Sequence, residues 1–312
     1  MQLESSARKN KNKLLGKDDV LFIRTKFWAR MVVFRAGFID NPKKMQRLFS
    51  PDKYVNGQSP PKDWEGYYKG LIKQPLRRTI DKTNDLMPNS EKIFDMPLWE
   101  IFYSDIATDK QVEKLVFHIK DIRIFNRIIK KETDSSTFHL RTRNLSKTIE
   151  YLVSLSTFDA LNALTILLLN LEIRINTNIH NRLEYKGAIM SAILEVLIIM
   201  SVQYPIKKCF TELFTLYKRR FSYSWFQGNP KLLFYSDFKW NINETDFTKI
   251  SRLYLNIAKS AKILKVVNEK NIVKFLFKFN RSDIQIKNQV CNNMFGKQDY
   301  SAVANLYKKI LM

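Results

Sequence analysis

Apolar side chains recur along this chain mostly at three- and four-residue spacing, the period of helices buried on one side. Val20, Phe22, Ile23, Phe27, Met31 and Phe34 follow it behind Asp18 and Asp19. The two acids suit the positive end of a helix dipole and Gly37 supplies a stop, so a helix over 19–36 is predicted. Asn41-Pro42 opens a short helix carrying Met45, Leu48 and Phe49, and residues 50–61, with Pro51, Gly57, Pro60 and Pro61, read as a loop. Ser59 before Pro60 fits an N-cap followed by proline in the first turn, which restarts a helix at 60 and ends it near Gly70. Short helices are predicted at 76–87 and 97–105, the second carrying Leu98, Trp99, Ile101 and Phe102. Residues 109–131 repeat the spacing through Val112, Leu115, Val116, Ile119, Ile122, Phe125, Ile128 and Ile129.

A polar stretch over 130–142 interrupts the pattern, and a domain boundary is placed there. Long helical patterns follow at 146–175 and 181–202, the latter closed by Tyr204-Pro205, with a further helix over 206–219. Segment 221–242 is rich in aromatics around Gly228-Asn229-Pro230 and reads either as a small hairpin or as a packed loop. Helices are predicted again at 245–264, 270–279 and 299–311. The expectation is a mostly α protein of two helical domains. Its parts are a flexible basic arm at 1–18, a first domain at 19–131, a linker at 132–145 and a second domain at 146–312.

Composition supports folding: 45% of residues are hydrophobic and 13% aromatic, enough to fill cores in a chain of 312 residues. The 8 glycines form no nucleotide-binding fingerprint, which argues against Rossmann and Walker-type folds. Three histidines, with cysteines at 209 and 291, make neither a compact zinc site nor a disulfide framework. No metal or cofactor is expected. The N-terminal charges are followed by no apolar stretch of signal-peptide length. The apolar runs at 160–171 and 188–202 fall short of the ~20 residues of a membrane span and carry Asn162, Asn170 and Glu195. They read as buried core helices, in a cytoplasmic protein with no membrane partner.

The segment Trp64-Glu65-Gly66-Tyr67-Tyr68-Lys69-Gly70, continuing through Pro75 and Arg77-Arg78 to Thr79-Ile80, resembles the second half of a lambda-repressor-like helix-turn-helix domain. The resemblance covers about residues 45–95. In that family an apolar residue and an aromatic three positions on face inward from a recognition helix, and a glycine stop, a proline and a new helix start follow. The resemblance implies that Trp64 and Tyr67 form the inner pair, that the outer face of the helix enters the major groove, and that Lys62, Lys69, Lys73, Arg77 and Arg78 contact DNA. The same aromatics also fit the core of an unrelated helical bundle.

Charge points to a polyanionic partner independently. Lys and Arg number 53 against 30 Asp and Glu, a net charge of +23, and residues 261–312 hold ten cations against three acids. Lys270, Lys274 and Lys278 fall on one stripe of a helix, an arrangement that tracks a phosphate backbone or simply forms a solvated face. The run Lys218-Arg219-Arg220-Phe221, with Tyr223, Trp225, Phe226, Lys231, Lys239 and Trp240, interleaves cations and rings as a single-strand platform does, although such rings also serve as core. Arg174 and His180 match the loose spacing of HEPN-type ribonucleases, in which the histidine moves a proton and the arginine stabilises developing charge. Glu172, Glu184 and Glu195 form no carboxylate ladder, and His118 and His139 have no obvious nucleophile partner.

The sequence therefore predicts a non-enzymatic nucleic-acid-binding protein. Duplex DNA is the expected ligand, and a regulator or accessory factor of a bacterial or mobile-element system is the expected role. A metal-independent ribonuclease and a scaffolding protein that binds a protein partner or self-associates through its second domain are the alternatives.

Overall fold

The computed structural model describes residues 15–38, 40–51, 63–131, 138–140, 145–173, 179–206 and 208–221, with scattered positions between 245 and 252. It is mostly helical. By compactness the chain divides into two units, Met1–Asp105 with Ile206–Arg220, and Ile106–Pro205 with Phe221–Met312.

The first unit is built around α1 (Lys17–Arg35). Val20, Leu21, Thr25, Phe27, Trp28, Ala29, Met31, Val32 and Val33 are all buried, covering most of the helix circumference, so α1 is a central element and not a surface helix. It packs against α3 (Asp63–Lys69), α5 (Ser90–Phe94) and α6 (Pro97–Tyr103). α2 (Pro42–Phe49) lies on α3, and α4 (Arg77–Leu86) lies on α5. Gly37 and Gly70 take φ of +72° and +73°, the left-handed geometry that ends helices cheaply only without a Cβ. Leu15 donates its N–H to the Phe102 carbonyl, and α1 begins at Lys17.

The second unit is centred on α10 (Phe158–Ile173), where every residue from Ala160 to Leu171 is buried. α7 (Asp109–Val116), α8 (Ile122–Ile128), α9 (Leu145–Leu155) and α11 (Ile179–Gln203) pack against it. The single periodicity of 109–131 is divided by two caps. Thr108 and Gln111 form a capping box at α7, and the Asp121 carboxylate accepts the Arg123 N–H at the start of α8. An antiparallel pair follows α8: β1 (Ile129–Lys131) runs beside β2 (Phe138–Leu140), with Lys130 opposite His139.

The predicted helix over 146–175 breaks at Ser156, which takes φ of +44°, its hydroxyl donating to the Val153 carbonyl. Thr157 then caps α10 by accepting the Ala160 N–H at 3.2 Å. The connection expected through 181 is shorter, because α11 starts at Ile179. α11 contains one stretch, Tyr185–Gln203, long and apolar enough to cross a membrane, and 67% of that stretch is buried within the structure. α12 (Cys209–Phe221) follows, contributing mainly to the first unit. The hairpin or loop of 221–242 and the helices of 270–279 and 299–311 lie outside the described residues. Of the 245–264 helix, the described positions Thr245, Phe247, Thr248, Ser251 and Arg252 are helical.

Candidate nucleic-acid interface

Trp64 and Tyr67 face inward from α3, 1% and 5% exposed. Trp64 lies against Trp28 of α1 and Phe49 of α2, and Tyr67 sets its edge against Trp28. Gln46 of α2 accepts the Trp64 backbone N–H at 3.2 Å and ties the two helices together. α3 is only 7 residues long, and residues 50–62 lie between it and α2. Gly66 is packed so closely that an added Cβ would meet Ile72 Cδ1 at 2.6 Å, so the chain folds back immediately after α3.

The cations expected on the outer face have partners. Lys69 pairs with Glu65 one turn earlier at 2.6 Å, and Lys73 pairs with Asp18 of α1. Arg77 is gathered by three carboxylates, Asp81 and Asp95 at 2.9 Å and Glu91 at 3.3 Å. The hydrogen bond to Asp95 leads the causes that raise its pKa above the usual guanidinium value. For a phosphate to use Arg77 it must displace these acids or sit beside their negative charge, which costs part of the attraction. Arg78 is exposed and pairs with no acid among the described residues. Lys62, Lys270, Lys274 and Lys278 lie outside the described residues.

A second group of cations was not singled out from the sequence. α2 carries Lys43, Lys44 and Arg47, all exposed, around buried Met45 and Gln46, and contains no acid. Lysines in a first helical turn oppose the helix dipole, whose positive end already favours an anion. Asp40, the nearest preceding acid, accepts a hydrogen bond from the Tyr68 hydroxyl. Burial and this bond raise the Tyr68 pKa, so it stays a neutral donor. From α4, the Lys82 ammonium reaches the Phe49 carbonyl at 3.2 Å and lies over the Phe49 ring. Arg78 sits one turn before Lys82 on α4, with exposed Asp81 and Asp85 three positions beyond each. The available signal was the acid-free run from Pro42 to Phe49.

Two further cations of α1 are engaged within the fold. Lys26 pairs with Glu212 of α12 at 2.5 Å, and the Arg30 Nε donates to the Tyr68 carbonyl at 3.1 Å. Cys209 is buried beside Arg30, and desolvation pushes its thiol up to about 12 despite the nearby cation.

The remaining sequence candidates separate. Arg220 is buried and donates to the Ile101 carbonyl at 3.1 Å, which gives this part of the proposed single-strand platform a structural role. Phe221 is fully buried, and the platform beyond it, Tyr223 to Trp240, lies outside the described residues. His180 falls in the first turn of α11, whereas Arg174 lies outside the described residues. His118 is exposed after α7, and His139 occupies the middle of β2. Among the described residues no three His, Cys, Asp or Glu side chains converge as a metal-binding group.

These features define a basic, predominantly α-helical protein of two compact units. No family model, curated protein or solved structure matches the chain.

Proposed function

We propose that this protein binds nucleic acid, duplex DNA first, as a regulator or accessory factor of a bacterial or mobile-element system in the cytoplasm, and that it does so without catalysing a reaction. The observation that carries the reading is the acid-free basic face of α2, extended by Lys82 and Arg78 of α4. The chain's net charge of +23 supplies the long-range attraction, and the first turn of α2 supplies a local anion site. The resemblance to helix-turn-helix domains adds a reason to favour duplex over single strand. Within that reading the contact surface moves from Lys69, Lys73 and Arg77, which are paired with acids, toward Lys43, Lys44, Arg78 and Lys82.

Fluorescence anisotropy with a labelled duplex tests this across a salt series. A surface covering about six phosphates loses about a thousandfold in affinity between about 50 and about 200 mM salt. Replacing Lys43 and Lys44 together by alanine should lower the salt slope by about two, because each phosphate-contacting lysine contributes about one. Lys69→Ala and Arg77→Ala should change it little. Salt-independent binding, or no binding at low salt, overturns the reading. Loss confined to the Lys69 and Arg77 variants moves the contact surface back to the outer face of α3.

A further inference from the structure

At the corner between α7 and α8 three apolar side chains form an outward-facing group. Phe117 is 60% exposed and Ile122 64% exposed. The Phe117 ring lies 6.2 Å from the ring of Phe125, which is one turn beyond Ile122 on the same side of α8. The chain can keep Ile124 and Ile128 in the core while showing Ile122 to solvent because α8 is only two turns long and buries its other side. Burying Phe117 and Ile122 would lower the free energy of the folded protein, and the fold leaves both outside. Such a patch marks a contact surface.

Its surroundings are cationic. Phe117 caps α7 with φ of −66° and ψ of −15°, so helical spacing continues through it and places exposed Lys110 and Lys114 on its side of the helix. Exposed Lys120 and His118 occupy the turn itself, and exposed Arg127 lies on the following helix. The acids of this stretch are Asp109, Glu113 and Asp121, and Glu113 lies one turn before Phe117 on the same side. Asp121 is engaged by Arg123, whose Nε and Nη2 reach its two oxygens at 3.1 and 2.7 Å. A second copy of the chain would bring the same positive rim against this one, which charge repulsion disfavours. Phe117 and Ile122 are more than half exposed, so a rigid partner would need a pocket to bury them. A lipid interface closes around protruding side chains without one.

We infer that the α7–α8 corner is a wedge for an anionic lipid surface: Phe117 and Ile122 enter the boundary between headgroups and acyl chains, and Lys110, Lys114 and Lys120 sit among the anionic headgroups. One small wedge and a few lysines give reversible attachment, strengthened by anionic lipid and weakened by salt. The attachment lies in the second unit and does not depend on the nucleic-acid surface of the first. A DNA-binding protein with such a wedge holds nucleic acid near the cytoplasmic leaflet.

Co-sedimentation of the full chain with vesicles tests the wedge. Wild-type protein should pellet with vesicles of equal parts phosphatidylcholine and phosphatidylserine, much less with phosphatidylcholine alone, and should be released by high salt. Phe117→Ser with Ile122→Ser should weaken the mixed-vesicle partition by about tenfold or more, because that much apolar area no longer leaves water. The single variant Ile122→Ser should show an intermediate loss and guards against misfolding of the pair, which thermal melting checks directly. Duplex binding by the double variant should equal wild type, which separates failure of the wedge from failure of the DNA reading. Undiminished vesicle binding by the double variant shows that charge alone suffices and overturns the wedge. Equal binding to phosphatidylcholine alone, or no vesicle binding at all, overturns it as well. So does a wild-type dimer in sedimentation velocity that the double variant abolishes without vesicle binding in either protein.

Discussion

The indoles of Trp28 and Trp64 stack, with centroids 5.4 Å apart and planes inclined by 26°. Trp28 is fully buried and Trp64 nearly so, and neither ring N–H has a hydrogen-bond partner. The pair therefore holds α3 to α1 through buried area and ring geometry alone. Trp64→Ala should destabilise the protein by about 3–5 kcal/mol, read from denaturant unfolding, because the cavity opens beneath both α2 and α3. Trp64→Phe should lose less than half of that. A loss under about 1 kcal/mol for the alanine variant would be a surface-like value and would remove Trp64 from the core.

That inward placement was legible in the sequence, because a three-residue spacing of aromatics before a glycine can bury both only on one helical face. Glycine stops at Gly37 and Gly70 were legible for the same local reason: the chain needs positive φ there. The break at Ser156 was not, since a serine in left-handed geometry gives no compositional warning and the apolar period runs through it. The pairing of β1 with β2 was hidden by its brevity, because three-residue strands are too short for an alternation to register as a pattern. Of the proposed contact surface, cation identities were readable but their partners were not. Arg77 meets Glu91 and Asp95 only through the packing of α4 on α5, a relation no spacing rule within one helix encodes.

Lys186 and Glu172 form an ion pair at 3.0 Å, with side chains only 7% and 14% exposed. It links the end of α10 to α11. Removing one partner takes away part of what compensates a buried charge, so Glu172→Ala should destabilise the protein by about 1–3 kcal/mol. Replacing both residues, Glu172→Leu with Lys186→Met, should recover most of that loss in the same thermal melts. A double variant as unstable as the single one would show that the two charges do not act as a pair.

Cys209 should be inert in the folded protein. With its thiol pushed up to about 12 by burial, only a minute fraction is thiolate near neutral pH, and thiolate is the reacting form. Iodoacetamide followed by peptide mapping should leave Cys209 unmodified under native conditions and label it fully in denaturant. Rapid native labelling would mean that α12 opens frequently enough to expose the thiol.

Asp121 makes the second unit sensitive to acid. Its carboxylate accepts hydrogen bonds from the Arg123 side chain and backbone, and these hold its pKa below the ordinary aspartate value of about 3.9. A carboxyl with a lowered folded-state pKa adds stability above its unfolded value, and that addition disappears as pH falls through the folded value. The same carboxylate caps α8, so Asp121→Ala should cost about 1 kcal/mol at neutral pH. Asp121→Asn keeps a capping oxygen but no charge, so it should lose only the ionic share, which solvent around Arg123 keeps small. The melting-temperature gap between wild type and Asp121→Asn should thus be constant from neutral pH down to the ordinary aspartate range and shrink toward zero as pH falls on through the lowered folded-state value. A gap that widens in acid would mean that the ionised carboxylate opposes folding, the reverse of what its contacts with Arg123 require.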